Sequence, residues 1–319
     1  MGTQGNSVNQ QLLVFIFSYN RGDFLRNCVD SVCRHIPSAV ITVIDDHSND
    51  GDTQQCLANL PNGVCLHQPE QKKNARHGGL YNNMQLALEL AHERVCAAQG
   101  SAAGTIELAL FLQDDMQVVR DVNADDWQNI VGFYQHYPQA TFLNPLFLKG
   151  ARKARDTRIT QVASDYPVYL RHYPEKSNPR GISYADAMIL HVPRLMNAKW
   201  QFIQGETENA NQAQRLFGKM GFMLHPFAMF LPEVPVFRGK QKTKAVQRAE
   251  KLRGTTPNRF DSMSENEVKA LKSRDVAKKL PVAEHYLHTE RPAKMPFRYS
   301  QINVYPVLRL WHKLEQVLK

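Results

Sequence analysis

Short apolar runs alternate with amphipathic stretches through the first 120 residues of the chain. Runs over residues 12–17, 40–44 and 108–112 predict strands that are buried on both faces, and 64–66 predicts a shorter one. Between them, apolar residues recur at helical spacing over 24–35 and 80–95. Strands that alternate with helices predict a parallel α/β sheet with right-handed crossovers.

The second half of the chain has a less regular pattern. It predicts helices over 126–137 and 208–220, with apolar strand-like runs over 140–147, 185–192 and 223–231. The polar segment 254–279 is predicted to be mobile. The last segment, 304–318, has an amphipathic helical pattern with Trp311 and lysines on it.

Composition and charge narrow the class of protein. A chain of 319 residues with 43% hydrophobic and 22% charged residues is an ordinary soluble globular protein. The net charge of +9 favours anionic partners. No run is long and apolar enough for a membrane-spanning helix, and the five cysteines lack zinc-like spacing. We therefore predict a cytoplasmic location and reduced cysteines.

Acidic residues follow two of the predicted central strands. Asp45 and Asp46 end the second run, and Asp114 and Asp115 end the run at 108–112. In a parallel sheet these ends meet at the edge where open α/β folds bind ligands. Two adjacent carboxylates repel each other unless positive charge lies nearby, and a divalent cation with oxygen ligands supplies it. The pattern predicts a metal site for a phosphate-bearing substrate.

Each of these residues also has a simpler structural explanation. Asp46 can cap the following helix, which is the favoured interpretation of that residue taken alone. Tyr19 can be a core residue, and Asp114-Asp115 can end a strand without a metal. The chain has neither a GxGxxG dinucleotide motif nor a P-loop, which argues against those two kinds of phosphate site.

The first third to half of the chain resembles the family 2 glycosyltransferases, through FIFSYNRGDFLRNCVDSV, ITVIDDHSNDGDT and ALFLQDDM. The resemblance implies a GT-A type, Rossmann-like, mostly parallel sheet flanked by helices. It implies a GT-A domain over 1–237, with a nucleotide-binding half at about 10–120 and an acceptor half at about 121–237. Residues 238–319 would then form a basic, partly helical C-terminal extension on the acceptor side.

The resemblance also implies roles for individual residues. Phe17 and Tyr19 would flank the nucleotide base, Asp46 would accept a hydrogen bond from it, and Asp45 would order the loop. Asp115 would coordinate Mn²⁺ or Mg²⁺ on the diphosphate, with Asp114 near the ribose or sugar.

Two basic residues are further candidates for the donor site. Arg76, with Lys72 and Lys73, would contact phosphate or ribose, although these residues can equally form a solvated face. Arg238 stands near the position where relatives carry a metal- or diphosphate-binding histidine, so it would contact the diphosphate. His285 and His288 are alternatives for that role.

The catalytic base of an inverting transfer is expected near the start of the helix at 208–220. Glu208 fits the family pattern by its distance to Arg215, and Glu206 fits it through the preceding Gly205. We place Glu208 first and Glu206 second. Asp186 is a further candidate near the acceptor. An acidic helix start that only complements the helix dipole is the structural alternative.

The predicted function is inverting transfer of a sugar from a nucleotide diphosphate, UDP by preference, to a saccharide or lipid-linked saccharide. The family suggests bacterial surface polysaccharide or lipopolysaccharide assembly at the inner face of the membrane. The C-terminal tail would make peripheral membrane contact, and no nucleic-acid partner is expected. The alternatives are a nucleotidyltransferase of the same fold and a non-catalytic protein that binds polyanions or membranes.

Overall fold

A computed structural model describes residues 12–70, 79–98, 107–172, 181–235 and 242–317. The strands are β1 (Leu13–Ser18), β2 (Val40–Asp45), β3 (Cys65–His67), β4 (Leu108–Gln113), β5 (Met116–Val118), β6 (Phe142–Asn144), β7 (Thr160–Val162), β8 (Val168–Arg171), β9 (Met188–His191), β10 (Gly221–Met223) and β11 (Ala228–Phe230). The helices are α1 (Gly22–His35), α2 (Gly51–Ala58), α3 (Leu80–Ala98), α4 (Ala124–His136), α5 (Lys153–Ile159), α6 (Val192–Asn197), α7 (Glu206–Leu216), α8 (Lys244–Arg253), α9 (Glu265–Ser273) and α10 (Pro306–Val317).

One large sheet organises the described residues. Its strand order is β3-β2-β1-β4-β9-β6-β10-β8-β7, and β11 pairs with β5 in a separate ribbon. The pairings make β8 and β9 antiparallel to the other strands of the large sheet. The predicted class is therefore confirmed, a mixed α/β structure with a mostly parallel sheet flanked by helices.

The central strands are apolar on both faces because each face has its own core. Within β1, Val14 and Ile16 belong to one hydrophobic cluster, while Leu13 and Phe15 belong to the other. The side chains of a strand alternate between its faces, so a continuous apolar run fits only a strand that is covered on both sides. This is the physical basis for predicting these strands correctly.

Several elements differ from the sequence prediction, and three of the differences have a clear physical reason. The apolar run at 223–231 is two short strands, because the chain turns between β10 and β11. Helix α1 begins at Gly22 with Arg21 at the N-cap position. The segment 254–279, predicted to be mobile, contains α9, whose start has a capping box between Ser264 and Glu267 and whose Leu271 is buried. The S-x-x-E spacing of these two residues is the sequence signal for the start of that helix.

The C-terminal extension packs on the rest of the protein. Phe260, Leu287 and Phe297 share a hydrophobic cluster with Phe24 and Phe147. Glu233 adds polar contacts, since it pairs with Arg253 and accepts a hydrogen bond from the backbone N–H of Lys294 at 3.1 Å. Among the described residues no helix has the length and apolarity needed to cross a membrane.

Candidate functional site

The carboxyl ends of β1, β2 and β4 lie side by side. Ser18 of β1 is opposite Asp45 of β2, and Phe17 is opposite Gln113 of β4. The three polar loops that follow these strands therefore meet at one edge of the sheet, where ligands bind in open α/β folds.

Arg21 compensates the charge of the acidic pair. Its Nη1 donates to Oδ2 of Asp115 at 2.9 Å, and its Nε donates to Oδ2 of Asp114 at 3.2 Å, with Nη2 on the other oxygen of Asp114. A guanidinium therefore bonds to both carboxylates and supplies positive charge beside them, in a geometry that suits carboxylates well. The divalent cation expected at Asp115 stays a prediction.

Burial affects the pKa values of both Arg21 and Asp114. Burial alone lowers the pKa of Arg21, but the charges of Asp114 and Asp115 outweigh it and raise that pKa, so the guanidinium stays charged. Burial raises the pKa of Asp114 to about 7 against the opposing charge of Arg21. Asp114 has no exposed surface and also accepts from the backbone N–H of Tyr19 at 3.3 Å. Asp114 therefore supports the loop rather than facing a ribose.

Asn20 joins the first two loops. Its backbone has a positive φ of 50°, a conformation that asparagine tolerates better than most residues. Its side-chain oxygen accepts from the N–H of Asn49 at 2.7 Å, and its own N–H donates to Ser48 Oγ at 2.8 Å. Asp45 is completely buried and accepts from the N–H of Ser48 at 2.8 Å. These contacts fix the geometry of both loops.

Asp46 faces the start of α3 and does not cap α2. Its Oδ2 accepts from the N–H of Gly79 at 2.9 Å, and a Cβ on Gly79 would lie 2.1 Å from its Oδ1. The residue that caps α2 is Asp50, which accepts from the N–H of Thr53 at 2.9 Å. The helix-capping explanation of Asp46 is therefore wrong, and glycine is required at position 79 for the close approach.

The two aromatic candidates lie in different environments. Phe17 is 5% exposed and packs edge-to-face on Phe111, with ring centroids 5.2 Å apart. It is a core residue and does not border the open part of the site. Tyr19 is half-buried at the turn after β1.

The sheet topology adds Asp186 to the same edge. Strand β9 runs antiparallel to β4 with Met188 opposite Phe111, so the residues just before β9 lie near the end of β4. The hydroxyl of Tyr81 donates to Oδ2 of Asp186 at 3.3 Å. Burial, together with the charge of Glu206, raises the pKa of Asp186 to about 7. A carboxyl with such a pKa can exchange protons near neutral pH.

The two glutamates at the start of α7 are placed differently. Glu206 is half-buried and its charge acts on both Asp186 and Lys149, whereas Glu208 is exposed. Asn209 is fully buried and its amide donates to the carbonyl of Ile203 at 2.6 Å, which holds the loop before the helix. The structure thus brings Glu206 to the site edge, although the sequence favoured Glu208.

Lys149 is a site residue that sequence reasoning missed. Strand β6 runs parallel to β4, so the segment after it reaches the same edge. The Nζ of Lys149 lies 4.2 Å from the ring centroid of Phe230 and 4.5 Å from that of Tyr299. Burial and the nearby Arg152 lower the pKa of Lys149 to about 8, against the charges of Asp115 and Glu206. No local sequence signal identifies it, because its aromatic neighbours come from distant segments.

Three carboxylates at this edge keep an unused oxygen. The Oδ1 atoms of Asp46, Asp115 and Asp186 are buried and have no hydrogen-bond partner within the described residues. An unsatisfied buried acceptor costs about 1–3 kcal/mol, so several of them at one edge indicate a place where a ligand supplies the partners.

The carboxylate oxygens available at this edge suit a metal ion whose other ligands come from a substrate. Within the described ranges, no group of three or more His, Cys, Asp or Glu residues could enclose an ion. Asp115 nevertheless offers one free oxygen, and Mg²⁺ commonly takes one or two carboxylates and completes its shell with substrate phosphates and water. Asp115 therefore fits the predicted role, with the diphosphate as the other ligand.

The remaining candidates do not join the described site. Arg76 and Arg238 lie outside the described residues, as do Lys72 and Lys73. His288 pairs with Glu267 at 3.5 Å, and His285 is exposed.

Comparison with known proteins leaves the family open. No family model and no curated protein matches the chain. A solved structure titled "Crystal structure of S. aureus TarS" is similar over 69% of this chain and 36% of that chain, with 13% identity and a TM-score of 0.44. The similar region is thus little more than a third of that protein, and the similarity is too low to carry a conclusion about activity.

Proposed function

We propose that the protein is an inverting glycosyltransferase that uses a nucleotide-diphosphate sugar, UDP-linked by preference, and a saccharide acceptor. The observation that carries the proposal is the line of unused polar groups along one sheet edge. Asp46 follows β2, Asp115 follows β4, Asp186 precedes β9 and Lys149 follows β6. From β2 to β6 there are four strand spacings, about 19 Å in all, which suits a ligand made of base, ribose, diphosphate and sugar.

At one end of this line, Asp46 and Tyr19 suit a nucleotide base. The free Oδ1 of Asp46 can accept a hydrogen bond from a ring N–H such as that of uracil. The half-buried ring of Tyr19 can stack on the base, because every base has a flat face on which an aromatic side chain can pack. Asp45 and Asn20 contribute indirectly, since they hold the two loops in position.

The middle of the line suits the diphosphate. Lys149 offers a half-buried positive charge, and Arg21 fixes the orientation of Asp115. When bound, Mn²⁺ or Mg²⁺ on Asp115 would neutralise part of the charge that develops on the leaving group. Lys149 would stabilise the same charge directly, because a preorganised cation at a buried site costs little reorganisation during the reaction.

At the other end, Glu206 and Asp186 suit the acceptor. In an inverting transfer a carboxylate removes the proton of the acceptor hydroxyl while its oxygen attacks the anomeric carbon. The bond from that carbon to the phosphate oxygen breaks, and the nucleoside diphosphate leaves with the electron pair. We assign the base to Glu206, whose charge also raises the pKa of the nearby Asp186 carboxyl.

A thermal-shift panel of nucleotide sugars, with and without Mn²⁺, tests the donor assignment. We expect one nucleotide class to raise the melting temperature, because a ligand that binds only the native state stabilises it by mass action. Asp115→Asn should lose the part of the shift that depends on Mn²⁺. The matched control is Asp125→Asn, an exposed acid in the first turn of α4, which should behave as the wild type. Mn²⁺-dependent binding that survives Asp115→Asn would refute the metal assignment.

A further inference from the structure

Helix α10 is held on the protein by one of its faces. Leu308 packs on a small cluster that contains Ala245 and Ala249 of α8. The Glu315 carboxylate accepts from the backbone N–H groups of Lys244 and Ala245, each at 3.0 Å, and so caps the start of α8. Because these contacts fix the rotation of the helix, its other faces have a defined direction.

The outward face of α10 is apolar. The exposed fractions are 79% for Val307, 61% for Leu310, 40% for Trp311, 55% for Leu314 and 85% for Val317. The spacing i, i+3, i+4, i+7 and i+10 places these five side chains on one stripe. Half of the large apolar side chains exposed in the described residues lie on this one helix. A stripe of this kind marks an interaction surface.

A cationic groove borders the stripe. Two adjoining cavities of about 320 and 300 Å³ share Arg298, Asn303 and Arg309 as lining residues. The first also has Leu310 and Lys313 in its wall, and the second extends to Arg152 and Lys149. None of the described residues that line the two cavities carries a carboxylate side chain.

Four cations of the groove make no salt bridge to the part of the chain that the structure describes, although the charge of Arg152 acts on Asp156. Arg152, Arg298, Arg309 and Lys313 make no ion pair within the described ranges, and the Nε of Arg298 is buried without a hydrogen-bond partner there. Unpaired guanidinium groups favour phosphate, which they bind with two parallel hydrogen bonds.

We propose that α10 docks on a bilayer of anionic phospholipids. The apolar stripe enters the interface, and Arg298, Arg309 and Lys313 bind headgroup phosphates. A helix that carries an apolar stripe next to basic residues, here Arg309 and Lys313, is typical of an interfacial membrane anchor. A second copy of the chain would bring the same cations together, and a nucleic acid would leave the stripe in water, so neither fits both features.

Docking of α10 on a membrane does not depend on the proposed transfer reaction. The class of acceptor inferred next does rest on the proposed function. The groove runs from α10 to Lys149, so it leads from the membrane surface to the diphosphate region. An acceptor saccharide linked through phosphate to a membrane lipid fits this path.

Vesicle co-sedimentation of the full chain tests the docking. We expect binding to vesicles of phosphatidylcholine mixed with phosphatidylglycerol and little binding to phosphatidylcholine alone. Two double variants test the two parts of the surface, Leu310→Ser with Leu314→Ser for the stripe, and Arg309→Gln with Lys313→Gln for the cations. The cation variant should weaken binding about tenfold or more, since a basic side chain near an anionic surface contributes about 1 kcal/mol. The stripe variant should weaken it by a similar factor, because it removes two exposed leucine side chains from the apolar area that enters the interface.

Matched controls use exposed residues elsewhere. Leu216→Ser, at 47% exposure, and Lys269→Gln should bind as the wild type does. Equal affinity for both kinds of vesicle, or no binding, would overturn the proposal. Binding that depends on the cations alone would also overturn it and indicate a polyanion partner. The nucleotide-sugar shift is measured without vesicles, so its failure is distinguishable from failure of docking.

Discussion

The two halves of the site edge are built in opposite ways. On the proposed nucleotide side, Arg21 bonds to Asp114 and Asp115, and Asn20 bonds to the loop after β2. On the proposed acceptor side, Lys149, Asp186 and Glu206 come from distant segments. The charge of Glu206 acts on the other two residues, whose pKa values are moved toward neutrality. Arg21, Asp114 and Asn20 thus serve the structure of the loops, whereas Asp46 and Asp115 beside them each keep one oxygen without a partner in the described residues.

This contrast suggests a division of labour. A rigid, internally bonded loop pair can position a ligand but has few groups left to react with it. Buried and uncompensated charges cost stability and are typical of sites where protons move or charge develops. We therefore expect substitutions of Arg21, Asp114 or Asn20 to affect mainly folding, and substitutions of Lys149 or Glu206 to affect mainly turnover.

The largest effect on stability is expected at Arg21. Arg21→Met removes the charge that compensates Asp114 and Asp115, and breaking a buried ion pair costs about 3–5 kcal/mol of unfolding free energy. Denaturant unfolding at pH 8 measures this loss. Arg26→Met is the matched control, because the Arg26–Asp23 pair is exposed and its nitrogen–oxygen distance is 3.9 Å. A loss below about 1 kcal/mol for Arg21→Met would contradict the structural role of that arginine.

For Lys149 we expect the reverse, a loss of turnover without a loss of stability. Lys149→Met keeps the length of the side chain between Phe230 and Tyr299 but removes the charge. We expect kcat for nucleoside diphosphate release to fall about 10²–10³-fold, the typical cost of one electrostatic contact to a transition state. The melting temperature should stay the same or rise, since a buried cation is lost. Lys153→Met, at an exposed neighbouring position, should change neither value.

Asp186 gives a smaller, pH-dependent effect. Its pKa is raised from 3.8 to about 7 by burial and by Glu206, so the native state binds the proton more tightly than the unfolded chain does. The stability of the wild type should therefore fall as the pH rises from about 4 to about 7. Asp186→Asn should remove that part of the slope and be more stable at pH 8 by about 1–3 kcal/mol.

Chemical denaturation at pH 4 and at pH 8 measures the difference between Asp186→Asn and the wild type. Asp125→Asn, at an exposed position, is the control. If the difference in stability between the variant and the wild type is the same at both pH values, the native environment does not raise the pKa of Asp186.

The nucleotide side could be predicted from sequence because its signals are local. An apolar strand, a polar turn and an acidic pair lie within a few residues of each other, and the sheet brings their ends together. Even so, the role of Arg21 was missed, because only the fold places a residue of the first loop against the acids that follow β4.

The acceptor side depends on topology that the local pattern does not contain. Asp186 reaches the edge because β9 is antiparallel, and Lys149 because β6 is parallel to β4. The choice between Glu206 and Glu208 depends on the rotation of α7, which motif spacing did not determine. Sequence spacing favoured the exposed residue of the two.

The most direct test of the account compares Glu206→Gln with Glu208→Gln. The two variants make the same substitution two residues apart, one toward the site and one at an exposed position. With the nucleotide sugar that stabilises the protein, Glu206→Gln should bind the donor normally and lower kcat about 10²–10⁴-fold, the usual contribution of a general base. Glu208→Gln should match the wild type. Normal turnover in Glu206→Gln, or its loss in Glu208→Gln alone, would contradict the proposed acceptor site.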